Sequence, residues 1–208
     1  MKQLDWYFDF ISPFSYLQGE LLHTLPPDVK INYRPVLFAG LLTHWENKGP
    51  AEIAPKRTWT FEHCAWLAYK HGIPMTMPPH HPFNPLPLLR LSIALGNGED
   101  VVRRLFRFVW REGRVPTDEA AWHALLKEVG ATPEMLDAPE VKQQLRTNGE
   151  NAVAANVFGV PTAVVDNRCF WGLDSTDMLI AWLRGDPFFS SELLRQAQTL
   201  PQGIHRKT

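Results

Sequence analysis

Cysteine is scarce in this 208-residue chain: Cys64 and Cys169 are far apart and neither belongs to a Cys-x-x-Cys pair. A disulfide framework and a zinc knuckle are excluded by that arithmetic, and no metal site is expected. Charge of one sign is also missing, with 21 Lys and Arg against 22 Asp and Glu. A general nucleic-acid surface usually carries a basic excess, so that class of partner is not expected. No run reaches the roughly 18 apolar residues needed to span a bilayer. Asp5 and Asp9 interrupt the N-terminal apolar stretch where a signal peptide needs continuity. The expectation is a soluble, cytoplasmic protein with no membrane partner. Internal repeats and low-complexity tracts are absent too. What the chain does have is 45% apolar and 12% aromatic residues, enough for a substantial core and unlike a disordered segment. Its length suits one large domain or one domain with an insertion.

Leu4 to Phe10 is aromatic and partly alternating, which predicts a buried strand. Ser12-Pro13 then supplies a favoured N-cap and a favoured first helical residue. Tyr16, Leu17, Leu21 and Leu22 follow at helical spacing until Pro26-Pro27 stops them. Val29 to Val36 alternates as a second strand, so the opening is a βαβ unit with parallel strands. From Phe38 to Asn148 only helical periods occur: Pro55 to His71, Pro85 to Leu95, a helix from Asp100, one capped at Thr117 or Asp118, and a capped turn at Thr132. A last helix of this series is expected from Pro139 to Val157. Ala163 to Val165, the turn Asp166-Asn167 and Arg168 to Trp171 read as a hairpin. Asp174 or Ser175 caps a further helix, and the tail from Gly185 reads as polar and Pro-punctuated. The layout is α/β, with residues 1–37 and 149–208 forming one domain and residues 38–148 an inserted helical domain.

Two junctions can carry chemistry. Ser12 stands at the carboxyl end of the first strand and the amino end of the first helix, where ligands of open α/β sheets and anions collect. Taken alone it reads first as an ordinary cap worth about 1 kcal/mol. Val160-Pro161 opens a later strand. A cis bond there would turn the Val160 N–H and C=O outward for an extended ligand, whereas a trans proline would be plain punctuation. His80-His81 lacks partners at metal-ligand spacing. Cys64 reads as a core thiol, and Lys142 and Arg146 as a solvated face. Trp59, Trp66, Trp110, Trp122 and Trp171 read as core or domain-interface aromatics.

Taken together, Asp9-Phe10-Ile11-Ser12-Pro13-Phe14-Ser15-Tyr16-Leu17, Phe158-Gly159-Val160-Pro161-Thr162 and Phe170-Trp171-Gly172-Leu173-Asp174 resemble the 2-hydroxychromene-2-carboxylate isomerases. These are relatives of the kappa-class glutathione transferases and the bacterial disulfide oxidoreductases. Arg34-Pro35-Val36-Leu37, Asn47-Lys48-Gly49-Pro50, Pro55-Lys56-Arg57 and His71-Gly72-Ile73-Pro74 fit the same family in order. The resemblance implies a thioredoxin-like fold with a large all-helical insertion after the second strand. It also implies a glutathione-dependent cis–trans isomerase of an aromatic α-keto acid, often a homodimer. Ser12 replaces the redox cysteine, and with Ser15 also a serine, no disulfide can form at that helix. Glutathione supplies the thiol instead. In the family, Val160 pairs with the cysteinyl backbone of glutathione, and Leu173, Asp174, Ser175 and Thr176 hold its γ-glutamyl end. Many members have Asp-Arg where this chain has Asp174-Ser175, so an arginine contact is not carried over. Organic substrate maps onto Asn47, Lys56 and Asn84. The alternatives are a kappa-like glutathione transferase or peroxidase, and a non-catalytic thioredoxin-like binding module.

Overall fold

The computed structural model describes residues 2–203. Strands β1 (Lys2–Phe8) and β2 (Val29–Pro35) run parallel, joined through α1 (Pro13–Leu21). The helical stretch follows as α2 (Phe38–His44), α3 (Ala54–His71), α4 (Leu86–Ala94), α5 (Glu99–Trp110), α6 (Glu119–Glu128), α7 (Pro133–Asp137) and α8 (Pro139–Ala154). The chain returns through β3 (Thr162–Val165) and β4 (Arg168–Trp171), then α9 (Thr176–Leu183) and α10 (Glu192–Gln198). The sheet order is β2-β1-β3-β4, with β3 antiparallel to both its neighbours. This is the α/β architecture with an all-helical stretch after the second strand. Among the described residues no helix is long and apolar enough to cross a membrane.

β1 is central, paired with β2 on one edge and β3 on the other, and both its faces are covered. Leu4, Trp6, Phe8 and Phe10 alternate onto one side and are all 0% exposed. Trp6 stacks on Phe8 with ring centroids 4.7 Å apart, and Phe10 meets Phe106 of α5 at 4.6 Å. Truncating one such phenylalanine to alanine costs about 3–5 kcal/mol. Tyr7 points to the other side, into a smaller cluster with Val36, Leu41, Ala152, Val157 and Val160. β1 therefore ends between two packed layers, which holds its carboxyl end in place.

Local rules explain most element ends. Asp118 caps α6 by accepting the Ala121 N–H at 3.2 Å. Asp166 and Asn167 both take left-handed backbone, φ 50° and 62°, as a two-residue hairpin turn requires. The structure adds one element, α2, and corrects three expectations, for α8, the tail and the tryptophans. α2 has no cap of its own in the sequence and forms because a buried carboxylate, Asp9, takes its first N–H. α8 stops at Ala154 rather than Val157: Asn156 turns left-handed at φ 59° and the Val157 N–H returns to the Ala152 carbonyl. The tail contains α10, with Ser191 as its cap and Phe189 packed on Trp182 at 5.0 Å. Trp110 is buried and Trp122 partly so, but Trp59, Trp66 and Trp171 are 63%, 54% and 53% exposed. Residues 148 and 149 both lie in α8, where buried Asn148 donates to the Pro35 carbonyl at 2.9 Å.

Candidate active site

Ser12 is the N-cap of α1: its backbone is extended and its Oγ accepts the Ser15 N–H at 3.1 Å. A hydroxyl that accepts still has a proton to donate. Among the described residues neither the Ser12 O–H nor the Phe14 N–H has an acceptor. Two donors are thus left at the positive end of the helix, which is an arrangement that favours an anion. Ser12 is 7% exposed, so only a small part of its surface reaches solvent. Ser15 is wholly buried, and the Tyr16 hydroxyl donates to the Pro74 carbonyl; both belong to the packing behind the site.

Asp9 sits just below, 0% exposed, at the end of β1. Its carboxylate accepts the Ile11 N–H at 3.1 Å and the Phe38 N–H at 2.8 Å. Burial pushes this carboxyl up to about 7, although the N–H donors of Phe38, Ile11 and Phe10 oppose the shift. It ties the turn leading to Ser12 to the amino end of α2. His81 secures the same turn from outside, with Nε2 2.9 Å from the Ile11 carbonyl. That geometry makes Nε2 the protonated nitrogen. Burial lowers the pKa of His81, which keeps the ring neutral.

The Val160-Pro161 bond is cis. Because Tyr7 pairs with Thr162, the segment before β3 runs beside the end of β1 and close to the Ser12 turn. Among the described residues, neither the N–H nor the C=O of Val160 has a hydrogen-bond partner. The Gly172 N–H holds the Pro161 carbonyl at 2.8 Å, joining this segment to the turn after β4. Two glycines permit the arrangement. A Cβ at Gly159 would lie 2.6 Å from Trp171 Nε1, and Gly172 has φ 87°.

That turn carries the glutamyl candidates. Ser175 Oγ donates to the Gly172 carbonyl at 2.8 Å and Thr176 Oγ1 to the Leu173 carbonyl at 2.6 Å. Their hydroxyl protons are therefore spent inside the turn. Asp174 is exposed, and among the described residues its carboxylate has no partner; the Leu173 and Asp174 N–H groups also lack acceptors. Gln18 of α1 was not anticipated from the sequence. It is 1% exposed, accepts the Trp6 indole N–H at 2.7 Å, and donates to the Gly172 carbonyl and Thr176 Oγ1, both at 3.1 Å. A signal was available: position 18 shares a helical stripe with Leu21 and Leu22.

Ser12, Val160 and residues 173–176 are thus brought to one end of the sheet, while Asn47, Lys56 and Asn84 are not in bonded contact with them. All three are exposed. Asn47 Oδ1 accepts the Lys48 N–H at 2.8 Å, and Asn84 Oδ1 accepts the Leu86 N–H at 3.1 Å, starting α4. Lys56 has no ion pair among the described residues. Arg57 links its segment to the site by donating to the His81 carbonyl at 2.9 Å, with His81 in turn on Ile11. Neither cysteine replaces the missing redox thiol. Burial pushes Cys64 up to about 12 and raises Cys169 as well. A cleft of about 750 Å³ between α2, α4 and α8 is lined by Leu41, Arg90, Lys142 and Arg146 and contains none of the candidates. The solvated face expected at Lys142 and Arg146 is thus one wall of a groove.

A DSBA-like thioredoxin domain model matches residues 3–183. The chain belongs to that family. It is 30% identical over 191 residues to 2-hydroxychromene-2-carboxylate isomerase of Sphingobium xenophagum, covering 88% of this chain and 98% of that protein. Glutathione s-transferase kappa 2 of Caenorhabditis elegans is 29% identical over 178 residues, covering 77% and 79%. The solved structure of a 2-hydroxychromene-2-carboxylate isomerase shares the fold with a TM-score of 0.76 at 24% identity, over 96% of this chain and 100% of that one. Within the DSBA-like family, the chain therefore stands with the 2-hydroxychromene-2-carboxylate isomerases, and the kappa transferases are related to it as well.

Proposed function

We propose that this protein is a glutathione-dependent cis–trans isomerase of an aromatic α-keto acid or its cyclic hemiketal, of the 2-hydroxychromene-2-carboxylate type, working in the cytoplasm as a homodimer. The observation that carries the reading is the amino end of α1, where the Ser12 O–H and Phe14 N–H are left without acceptors. Glutathione held there would supply the sulfur nucleophile for reversible addition to a conjugated carbon and would not be consumed.

The chain's own groups suit that ligand. Ser12 and the helix dipole lower the thiol pKa by stabilising the anion. Val160 offers an unpaired N–H and C=O to an extended peptide backbone. Asp174 suits an α-ammonium group, while the Leu173 and Asp174 N–H groups suit the neighbouring carboxylate. The contribution of Ser175 and Thr176 is to hold the turn in shape. Lys56, exposed and without an ion pair among the described residues, provides the positive charge for a substrate carboxylate or a developing enolate. Asn47 and Asn84 keep their amide N–H groups for the rim.

Calorimetric titration with glutathione, followed by assay with a hydroxybenzylidene pyruvate, tests the reading. Binding, with isomerisation and no loss of glutathione, is the expected result. Stoichiometric conjugation of an aryl halide without isomerisation would make the protein a kappa-like transferase instead. Absence of binding would leave a non-catalytic module.

A further inference from the structure

Residues 56, 59, 63, 66 and 70 recur at intervals of three and four, so they share one face of α3. That face reads Lys56, Trp59, His63, Trp66, Lys70. Its three rings lie in series: Trp59 and His63 have centroids 5.7 Å apart at 22°, and His63 and Trp66 are 6.4 Å apart at 24°. The two ends of the series differ. Lys70 lies over Trp66 at 5.3 Å and closes that end. Trp59 is 63% exposed and, among the described residues, has no ring or cation partner besides His63. One turn before it is Lys56, unpaired. The series also touches the thiolate site, because the Phe14 ring meets His63 edge-on at 6.0 Å and the Phe14 N–H is one of the two free donors there.

We infer that Trp59 is the platform for the ring of the organic substrate, with Lys56 holding an acidic group attached to that ring. The inference rests on the proposed isomerase reading and names the side chain that would hold its substrate's ring. One helical turn is about 5 Å, so the ligand is a planar aromatic whose anionic group lies about that far from the stacked ring. An aromatic carboxylate fits, and an aliphatic keto acid does not. Both tryptophans are exposed and lie outside the buried core cluster.

2-Naphthoate binding, measured by tryptophan fluorescence without glutathione, tests the inference independently of the isomerase activity. Wild type should bind it, and Trp59→Ala should weaken binding about fivefold or more with an unchanged Tm. Trp66→Ala, at the closed end, should change it less than twofold. Lys56→Gln should weaken 2-naphthoate but leave 2-naphthol unaffected. Equal losses at Trp59 and Trp66, or no 2-naphthoate binding by wild type, would overturn the inference. So would sedimentation showing that Trp59→Asp splits a dimer, because the ring would then belong to a second copy of the chain. Failure of glutathione to bind while 2-naphthoate still discriminates Trp59 would sink the isomerase reading alone.

Discussion

The Gln18 side-chain amide donates to Thr176 Oγ1 at 3.1 Å across a gap of 158 residues, and its oxygen accepts the Trp6 indole N–H at 2.7 Å. One buried amide thus joins the helix that carries Ser12 to the turn that carries Asp174. Gln18→Ala should orphan the buried Trp6 indole N–H and take one donor from the Gly172 carbonyl, which keeps Ser175, costing about 2–3 kcal/mol of stability. Where folding survives, glutathione affinity should fall although Gln18 itself is not a contact. Denaturant titration and calorimetry on the same variant check both effects, and unchanged values in both would refute the positioning role.

Ser12 separates capping from anion binding. Ser12→Ala should lose about 1 kcal/mol from the cap, and the thiol of bound glutathione should titrate at higher pH, followed by thiolate absorbance. Ser12→Cys should place a low-pKa thiol at the helix end, and oxidised glutathione should form a mixed disulfide with it. A bound thiol with the same titration in wild type and Ser12→Ala would remove Ser12 from the site.

Asp9 gives a pH dependence of defined sign. Its carboxyl is raised from 3.8 to about 7, so the folded state binds more protons than the unfolded state between those values. Its contribution is greatest below 3.8 and is lost as pH rises through about 7, by an amount on the order of 4 kcal/mol at most. The difference in stability between wild type and Asp9→Asn should therefore drift against wild type across that interval. A flat difference curve would mean that the carboxylate is not desolvated.

His81 should behave in the opposite way. Its folded pKa is lowered from 6.5 by burial, so its contribution is complete above 6.5 and declines as pH falls through the lowered value. His81→Phe keeps the ring among Phe61, Phe83 and Trp110 but removes the donor to the Ile11 carbonyl. It should cost about 1–2 kcal/mol at neutral pH and should be less sensitive to acid than wild type. Melting temperatures at pH 5 and pH 7.5 settle the comparison.

Much of this architecture is written in short-range rules. Ser12-Pro13 starts α1, Asp118 starts α6, Asp166-Asn167 makes the hairpin, and the alternation of Leu4, Trp6, Phe8 and Phe10 marks the central strand. Each depends on backbone geometry or on the spacing of apolar side chains within a few residues, so each is legible without coordinates. The identity of the family was legible for a related reason: its three motifs mark the strand end, the proline turn and the turn after β4.

The tertiary structure alone decided what connects those motifs. α2 depends on a carboxylate 29 positions earlier, Gln18 is polar yet buried because its partners come from β1 and the α9 turn, and His81 finds its acceptor 70 residues away. Trp59 and Trp66 look like core residues in a composition count, but α3 turns them outward, and only the packed helix shows which face is left over. A buried polar group is stable only when its partner is present, and that partner's position is set by folding rather than by neighbours in the chain.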